Sequence, residues 1–169
     1  MQPLFPSAYS TPSPAALAAL IADKYALTDV QCQFLLRGVG DTYSIQANEE
    51  RFILRVYRHA MRTLPQVQEE VDFLIALKDA SVPVAYPVPD KSGEAIQVIT
   101  AAEGTRCAVL FPYAPGTVVN TLSEPQLRTL GRQMARMHNV SATMPQAGNR
   151  WAFDLESTLL QPLELLRTS

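Results

Sequence analysis

The sequence predicts an α+β fold: a five-stranded antiparallel sheet that carries a helix, followed by the first helices of a helical unit the chain does not complete. Three observations lead there. Short, turn-like connections separate three β-rich runs at residues 31–36, 42–46 and 51–56. A helical stretch at 65–79 precedes two more β-rich runs at 94–100 and 105–111, and beyond a proline-rich segment the apolar spacing turns helical. Strands joined by so few residues form antiparallel neighbours, because a parallel crossover needs a dozen residues or more.

The elements follow in order. Residues 1–13, rich in Pro and Ser, read as an arm. A helix begins with Ser13 as N-cap and Pro14 at its first position, and Leu17, Leu20, Ile21 and Tyr25 recur at helical spacing until about Leu27. From Gln31 the apolar period falls from 3.6 to 2, with Gly38-Val39-Gly40-Asp41 and Asn48-Glu49-Glu50 as the two turns. In the helix at 65–79, Val67, Val71, Leu74 and Leu77 or Lys78 mark one face and Thr63 can cap the start. The turn Asp90-Lys91-Ser92-Gly93 introduces the last two strands, which Glu103-Gly104 joins. Pro112-Tyr113-Ala114-Pro115-Gly116 is too rich in proline for a strand or helix interior, so 112–119 reads as a linker after a sheet unit at 14–111.

Past the linker, residues 120–169 read as the start of a helical unit. Ser123-Glu124-Pro125-Gln126 is a capping-box pattern and Leu127, Leu130, Met134 and Met137 form a stripe. A weaker helical stretch follows at 154–166, with Trp151 and Phe153 as its anchors. Two such helices cannot close a core by themselves, so the stripe is expected to stay open and to favour self-association through the C-terminal helices.

Composition narrows the function. Fourteen Lys and Arg against 16 Asp and Glu leave a formal charge of −2, with no basic surplus to neutralise a nucleic-acid backbone. No apolar run reaches membrane-spanning length and the first residues lack a secretory pattern, so neither nucleic acid nor membrane is an expected partner and a cytoplasmic location is expected. Cys32 and Cys107 lie in strand-like runs and read as reduced packing residues. His59 reads as exposed and His138 as a packed or capping residue; two isolated histidines provide no metal spacing.

Two features point to chemistry. Arg55 shares a strand face with Ile53 and Tyr57, so its charge needs an anion; Glu70 lies on the inward stripe of the following helix with Leu74 and Leu77. A strand cation paired with a helix acid is the device that aims a basic side chain at nucleotide phosphates. The alternative, a solvated Arg55 with Glu70 on the surface beside Glu69, is equally compatible with the spacing. Gly38 and Gly40 permit positive φ and close approach of backbone N–H groups to phosphate oxygens, although an ordinary hairpin turn also explains them.

Residues 34–140 resemble the amino-terminal half of the aminoglycoside-phosphotransferase and choline-kinase-like enzymes, most of all their homoserine-kinase-like and stress-response-kinase branch. The resemblance is carried by Phe52-Ile53-Leu54-Arg55-Val56-Tyr57-Arg58, by Glu70 with Leu74 and Leu77, and by Ser81-Val82-Pro83-Val84-Ala85-Tyr86-Pro87-Val88. Val109-Leu110-Phe111-Pro112-Tyr113-Ala114-Pro115-Gly116 and Leu130-Gly131-Arg132-Gln133-Met134-Ala135-Arg136-Met137-His138 complete it, in the family's order. It implies a protein-kinase-like N-lobe, ATP and Mg²⁺ as cofactors, and transfer of the γ-phosphoryl group to a hydroxyl-bearing small molecule or protein. Arg55 then matches the strand lysine that contacts phosphates, and Glu70 matches its helix partner. Gly38, Gly40, Asp41 and Thr42 would cover the phosphates, though without a full G-x-G-x-x-G. The carbonyl of Pro112 and the N–H of Ala114 would read the adenine edge. Arg for Lys is a departure, replacing a point charge by a planar fork.

The resemblance also implies an absence. The family's His-Gly-Asp catalytic loop with its Asn, and the Mg²⁺-binding Asp, have no counterpart: Asp154 is the only Asp after Asp90, and Leu155-Glu156-Ser157-Thr158-Leu159 contains no Asn. The expectation is therefore no catalytic residue in these 169 residues, metal ligands in a missing half, and a polypeptide inactive by itself that is a fragment of a full kinase. The competing reading is a non-catalytic, kinase-like interaction module.

Overall fold

The structure is a computed structural model that describes residues 10–145, 148 and 152–167. Its elements are α1 (Pro14–Tyr25), β1 (Gln31–Arg37), β2 (Gly40–Ala47), β3 (Glu50–Tyr57), α2 (Leu64–Asp79), β4 (Ile96–Ala101), β5 (Gly104–Pro112), α3 (Glu124–Thr143), a π-helical turn (Glu156–Leu160) and α4 (Gln161–Arg167). Among the described residues the five strands form one sheet in the order β1-β2-β3-β5-β4, with each neighbouring pair antiparallel.

Strand alternation gives this sheet two apolar faces. Leu54 and Val56 of β3 lie opposite Leu110 and Ala108 of β5, and with Tyr43 and Ile45 of β2 they receive Leu17 and Ile21 of α1. On the other face Tyr57, Cys107, Val109 and Phe111 pack against Val67 and Val71 of α2. Burying a Val or Leu side chain of this kind contributes about 1.5–3 kcal/mol, so two helices of modest length suffice to clamp the sheet. At the start of α2, Gln66 donates its backbone N–H to Thr63 Oγ1 at 3.4 Å, and its side-chain oxygen accepts from the Thr63 N–H at 3.1 Å. This is the reciprocal cap that Thr63 promised.

Several expectations need correction. Pro112 is the last residue of β5, opposite Phe52, rather than the first residue of a linker: a proline can end a strand where no further N–H is required. Neither Gly38 nor Gly40 has positive φ. Gly40 is demanded instead by close approach, since a Cβ there would meet the Val56 carbonyl oxygen at 2.7 Å. The left-handed residues of the next hairpin are Asn48 and Glu49, at φ 48° and 66°, the pair of positive φ values that a tight turn between twisted strands requires. Phe153 anchors nothing, being 97% exposed; Trp151 lies outside the described residues. His138 is exposed on α3 rather than packed.

Both cysteines are free, and burial pushes the Cys32 thiol up to about 11 and raises that of Cys107, which keeps them as unreactive packing groups. On α3, Leu127, Leu130 and Met134 are 54%, 48% and 49% exposed, the open stripe the sequence anticipates. The tie between α3 and α2 is polar: Arg136 Nη2 donates to the carbonyls of Ala80 and Ser81 at 3.1 and 2.8 Å, satisfying acceptors at the C-terminal end of α2.

The most consequential contact joins residues far apart in the chain, which local spacing does not encode. Arg106 of β5 is fully buried, and its guanidinium donates to Asp41 Oδ2 at 2.8 Å, to the Tyr57 carbonyl at 2.8 Å, to the Val56 carbonyl at 3.3 Å and to the Ser10 carbonyl at 3.0 Å. Asp41 is equally buried and also accepts from Arg37 Nε at 3.2 Å. Pro12 accepts from the Tyr43 hydroxyl at 2.9 Å, so residues 10–12 of the expected arm are laid across this network. Removing one partner of a buried pair strands the other charge, so Asp41→Ala is expected to lower unfolding free energy by about 3–5 kcal/mol. Arg128→Ala, which removes an exposed pair with Glu124, is expected to cost less than about 1 kcal/mol. Urea denaturation of both variants checks the contrast, and equal midpoints would refute it.

Candidate functional site

Beside α2 the sheet borders a cleft of about 1240 Å³. Its apolar walls are Ile53 and Phe111, cross-strand partners on β3 and β5, together with Leu74 of α2 and Val84 of the connection to β4. Pro112, Tyr113 and Ala114 form one rim, and Ser141, Met144 and Pro145 at the end of α3 form another. The rim at 112–114 is held down: the Tyr113 N–H donates to the Arg51 carbonyl at 3.1 Å, and the Arg51 guanidinium lies 4.6 Å from the centre of the Tyr113 ring. Such a cation–π contact adds about 0.5–1 kcal/mol at an exposed site. Pro112 and Ala114, picked from the sequence, therefore stand on the cleft rim.

At the polar end of the cleft Arg55 Nη1 donates to Glu70 Oε1 at 3.1 Å. The same oxygen accepts the Tyr57 hydroxyl at 2.9 Å, and the Arg55 guanidinium carbon sits 5.3 Å from the Tyr57 ring centre. The sequence placed Arg55 and Tyr57 on one strand face but gave Tyr57 no part in holding Glu70; an i, i+2 relation on a strand was the available signal. The Arg55 side chain is 46% exposed and that of Glu70 is 20% exposed. A half-solvated pair contributes at most about 1 kcal/mol to stability, so its consequence is positional. Glu70 engages one of the five guanidinium N–H donors and keeps the plane of the others at the mouth of the cleft.

The hairpin residues divide. Thr42 lies opposite Arg55 in the β2–β3 register and so on the same face. Asp41 lies opposite Val56 and points to the other face, into the Arg106 network, which removes it from the cleft; alternation along β2 is the reason. Gly40 lines a smaller cavity of about 210 Å³ that shares Arg55 and Glu70 with the large cleft. The Gly38 N–H is committed within the turn, donating to the Gly40 carbonyl at 2.9 Å, and the Gly38 carbonyl accepts from Arg58 Nη2 at 3.2 Å. Among the described residues there is no group of three or more His, Cys, Asp or Glu that could hold a metal ion, and no helix is long and apolar enough to cross a membrane.

An antiparallel five-stranded sheet with a helix on each face, an ion pair from β3 to α2, and a chain segment leaving β5 at the rim of a cleft make up a kinase-like α+β lobe. Residues 31–167 match the model of the phosphotransferase enzyme family, and the chain belongs to that family. An uncharacterized protein of Deinococcus radiodurans is 38% identical over 164 residues, covering 96% of this chain and 47% of that protein. Stress response kinase A of Escherichia coli is 32% identical over 91 residues, covering 54% of this chain and 26% of the kinase. Among solved structures, a microcompartment-associated aminopropanol kinase has a TM-score of 0.69 at 27% identity, covering 86% of this chain and 46% of its own. An amicoumacin kinase in complex with AMP-PNP, Ca²⁺ and Ami also has a TM-score of 0.69, at 19% identity over 92% of this chain and 51% of its own, a likeness of fold. This chain spans about half the length of the Deinococcus relative and of both solved kinases.

If the Arg55–Glu70–Tyr57 contact positions a side chain rather than supporting the fold, Glu70→Gln and Tyr57→Phe should each change unfolding free energy by about 1 kcal/mol or less. Denaturant titration measures this; a loss of several kcal/mol in either variant would assign the contact to the core instead.

Proposed function

We propose that this chain is the nucleotide-binding lobe of a phosphotransferase that moves the γ-phosphoryl group of ATP to a hydroxyl of a small molecule or a protein. The observation that carries the reading is the Arg55–Glu70 pair, at 3.1 Å, standing where an apolar cleft and a chain-exposed rim meet. An adenine ring fits between Ile53, Phe111 and Val84, with the Pro112 carbonyl as acceptor and the Ala114 N–H as donor for its edge. The phosphates then run toward Arg55, with Thr42 beside it. Arg55 offers a planar fork suited to two phosphate oxygens at once. Names among the relatives support the reaction class: the aminopropanol kinase and stress response kinase A are kinases, and the amicoumacin kinase holds a nucleotide analogue. A cytoplasmic setting goes with a dependence on ATP.

Transfer itself also needs a group to orient the acceptor hydroxyl and carboxylates for Mg²⁺. The described residues contain no metal-holding cluster, so no step through Mg²⁺ is assigned to them. Because the sequence holds no match to the family's His-Gly-Asp loop with its Asn, the 169-residue polypeptide is proposed to bind nucleotide without transferring phosphate, and the acceptor to be held by parts of a full-length enzyme. Calorimetric titration with MgATP tests the reading. Binding is expected, weakened about tenfold to a hundredfold in Arg55→Met, the equivalent of about 1.5–3 kcal/mol for hydrogen bonds to a charged group, and largely kept in Arg55→Lys. Absence of ATP binding by the unmodified chain would overturn it.

A second reading, an interaction module, draws on the exposed Leu127, Leu130 and Met134. An open apolar stripe of this kind favours a protein contact, and a second copy of the chain is the partner always present. Light scattering should show mass rising with concentration, and Leu130→Glu should hold the protein monomeric. A monomer at all concentrations would dismiss self-association.

A further inference from the structure

Arg51 touches the rim of the cleft twice without lining the cleft itself. Its carbonyl accepts from the Tyr113 N–H at 3.1 Å, and its guanidinium carbon lies 4.6 Å from the centre of the Tyr113 ring. Tyr113 lines the cleft and Arg51 does not. The backbone and the side chain of one rim residue are thus both fixed by one residue of β3. The position of Arg51 is fixed in turn. It follows the tight turn at Asn48 and Glu49, whose φ values are 48° and 66°, and Asn48 Oδ1 accepts from both the backbone N–H and the hydroxyl of Thr28.

The bond from Tyr113 decides where the Pro112 carbonyl points. In a trans peptide the C=O of one residue and the N–H of the next project in opposite directions, and no peptide bond among the described residues is cis. Since the Tyr113 N–H is directed at β3, the Pro112 C=O is directed away from it. Alternation along an antiparallel strand gives the same answer. Leu110, two residues earlier, sends its carbonyl to that side and there accepts from the Val88 N–H at 2.8 Å. Pro112 has no N–H, so at this place the rim offers an acceptor and no donor. The acceptor comes to a wall that Pro112 shares with Val84 and Ala85, on the same connection as Val88. Residues 114–123 beyond Tyr113 are exposed, so the direction of the rim is set at Arg51.

We propose that Arg51 is a positioning residue for the base of a bound nucleotide. By holding Tyr113 from two sides it keeps the Pro112 carbonyl aimed at the cleft before a ligand arrives, so that an amino group on a heterocyclic base meets a fixed acceptor. The inference rests on the nucleotide reading above and adds to it a residue outside the cleft. Its contribution belongs to the base alone, because Arg55 at the polar end of the cleft is oriented by Glu70 and Tyr57.

Calorimetric titration of the full 169-residue chain with adenosine, ATP and tripolyphosphate tests it. In Arg51→Gln, which keeps the backbone and removes the cation, adenosine and ATP are expected to bind about two- to fivefold more weakly, the equivalent of one exposed cation–π contact. Tripolyphosphate should bind as it does to the unmodified protein. Arg51→Lys, which returns a cation to the Tyr113 ring, should restore most of the loss. Tyr113→Leu should show at least the same loss for both base-bearing ligands, and adding Arg51→Gln to it should cost nothing more, because the two side chains act as one unit. Amide hydrogen exchange at Tyr113 should quicken in Arg51→Gln. The inference is overturned if Arg51→Gln binds adenosine and ATP as tightly as the unmodified protein does, in which case the nucleotide reading stands. It is equally overturned if that variant weakens all three ligands together with a fall in unfolding midpoint, which would assign Arg51 to the fold. Binding of neither adenosine nor ATP by the unmodified chain removes the nucleotide reading, and the role of Arg51 with it.

Discussion

A guanidinium can leave water only if its N–H donors find partners, and Arg106 meets that condition by drawing four parts of the chain together. Its bonds to Asp41 on β2, to the carbonyls of Val56 and Tyr57 at the end of β3, and to the Ser10 carbonyl set the relative position of strands that are far apart in sequence. The desolvation of such a pair costs several kcal/mol per ion before the partners offset it, so the bonds must be made together. Two of the carbonyls that Arg106 holds belong to the residues immediately after Arg55. The buried network on one face of the sheet thereby determines where the half-exposed arginine on the other face stands.

Two arginines on adjacent strands thus have opposite fates for one reason. Arg106 falls on the α1 face, where residues 10–12 cover it; Arg55 falls on the α2 face, at the mouth of a cleft. The pleat assigns the face, and the covering segment decides whether water reaches the charge. Arg106 serves stability, because leaving it unpaired is costly. Arg55 forms a pair of small energetic weight, and its donors are left at the surface where a ligand can use them. Glu70 and Tyr57 restrict its orientation without closing it off, the preorganisation that the proposed phosphate contact would use.

Much of this lobe was legible in the residues. The change of apolar period at Gln31, the cap at Thr63 and the five strands follow from spacing, because each is a consequence of local periodicity or local capping; the spacing left Arg55 either paired with Glu70 or solvated, and the structure pairs them. The illegible parts are those set by distant neighbours. Asp41 looks like a loop acid in Gly38-Val39-Gly40-Asp41, yet its environment is decided by Arg106, sixty-five positions away. Gly40 suggests positive φ, whereas the Val56 carbonyl is what excludes a side chain there. Pro112 suggests a break, whereas the sheet simply ends on it.

Which segments become strands and helices and which faces of them are apolar were determined along the chain itself, since these depend on backbone period and on groups within a few residues. The tertiary structure decided which side of the sheet each arginine occupies relative to its covering segment, and which carboxylate answers it. It also decided that Arg55, Arg58 and Arg62 share one small cavity, because burial and partnership depend on the packing of β2, β3, β5 and α2 against one another, a relation no linear spacing encodes.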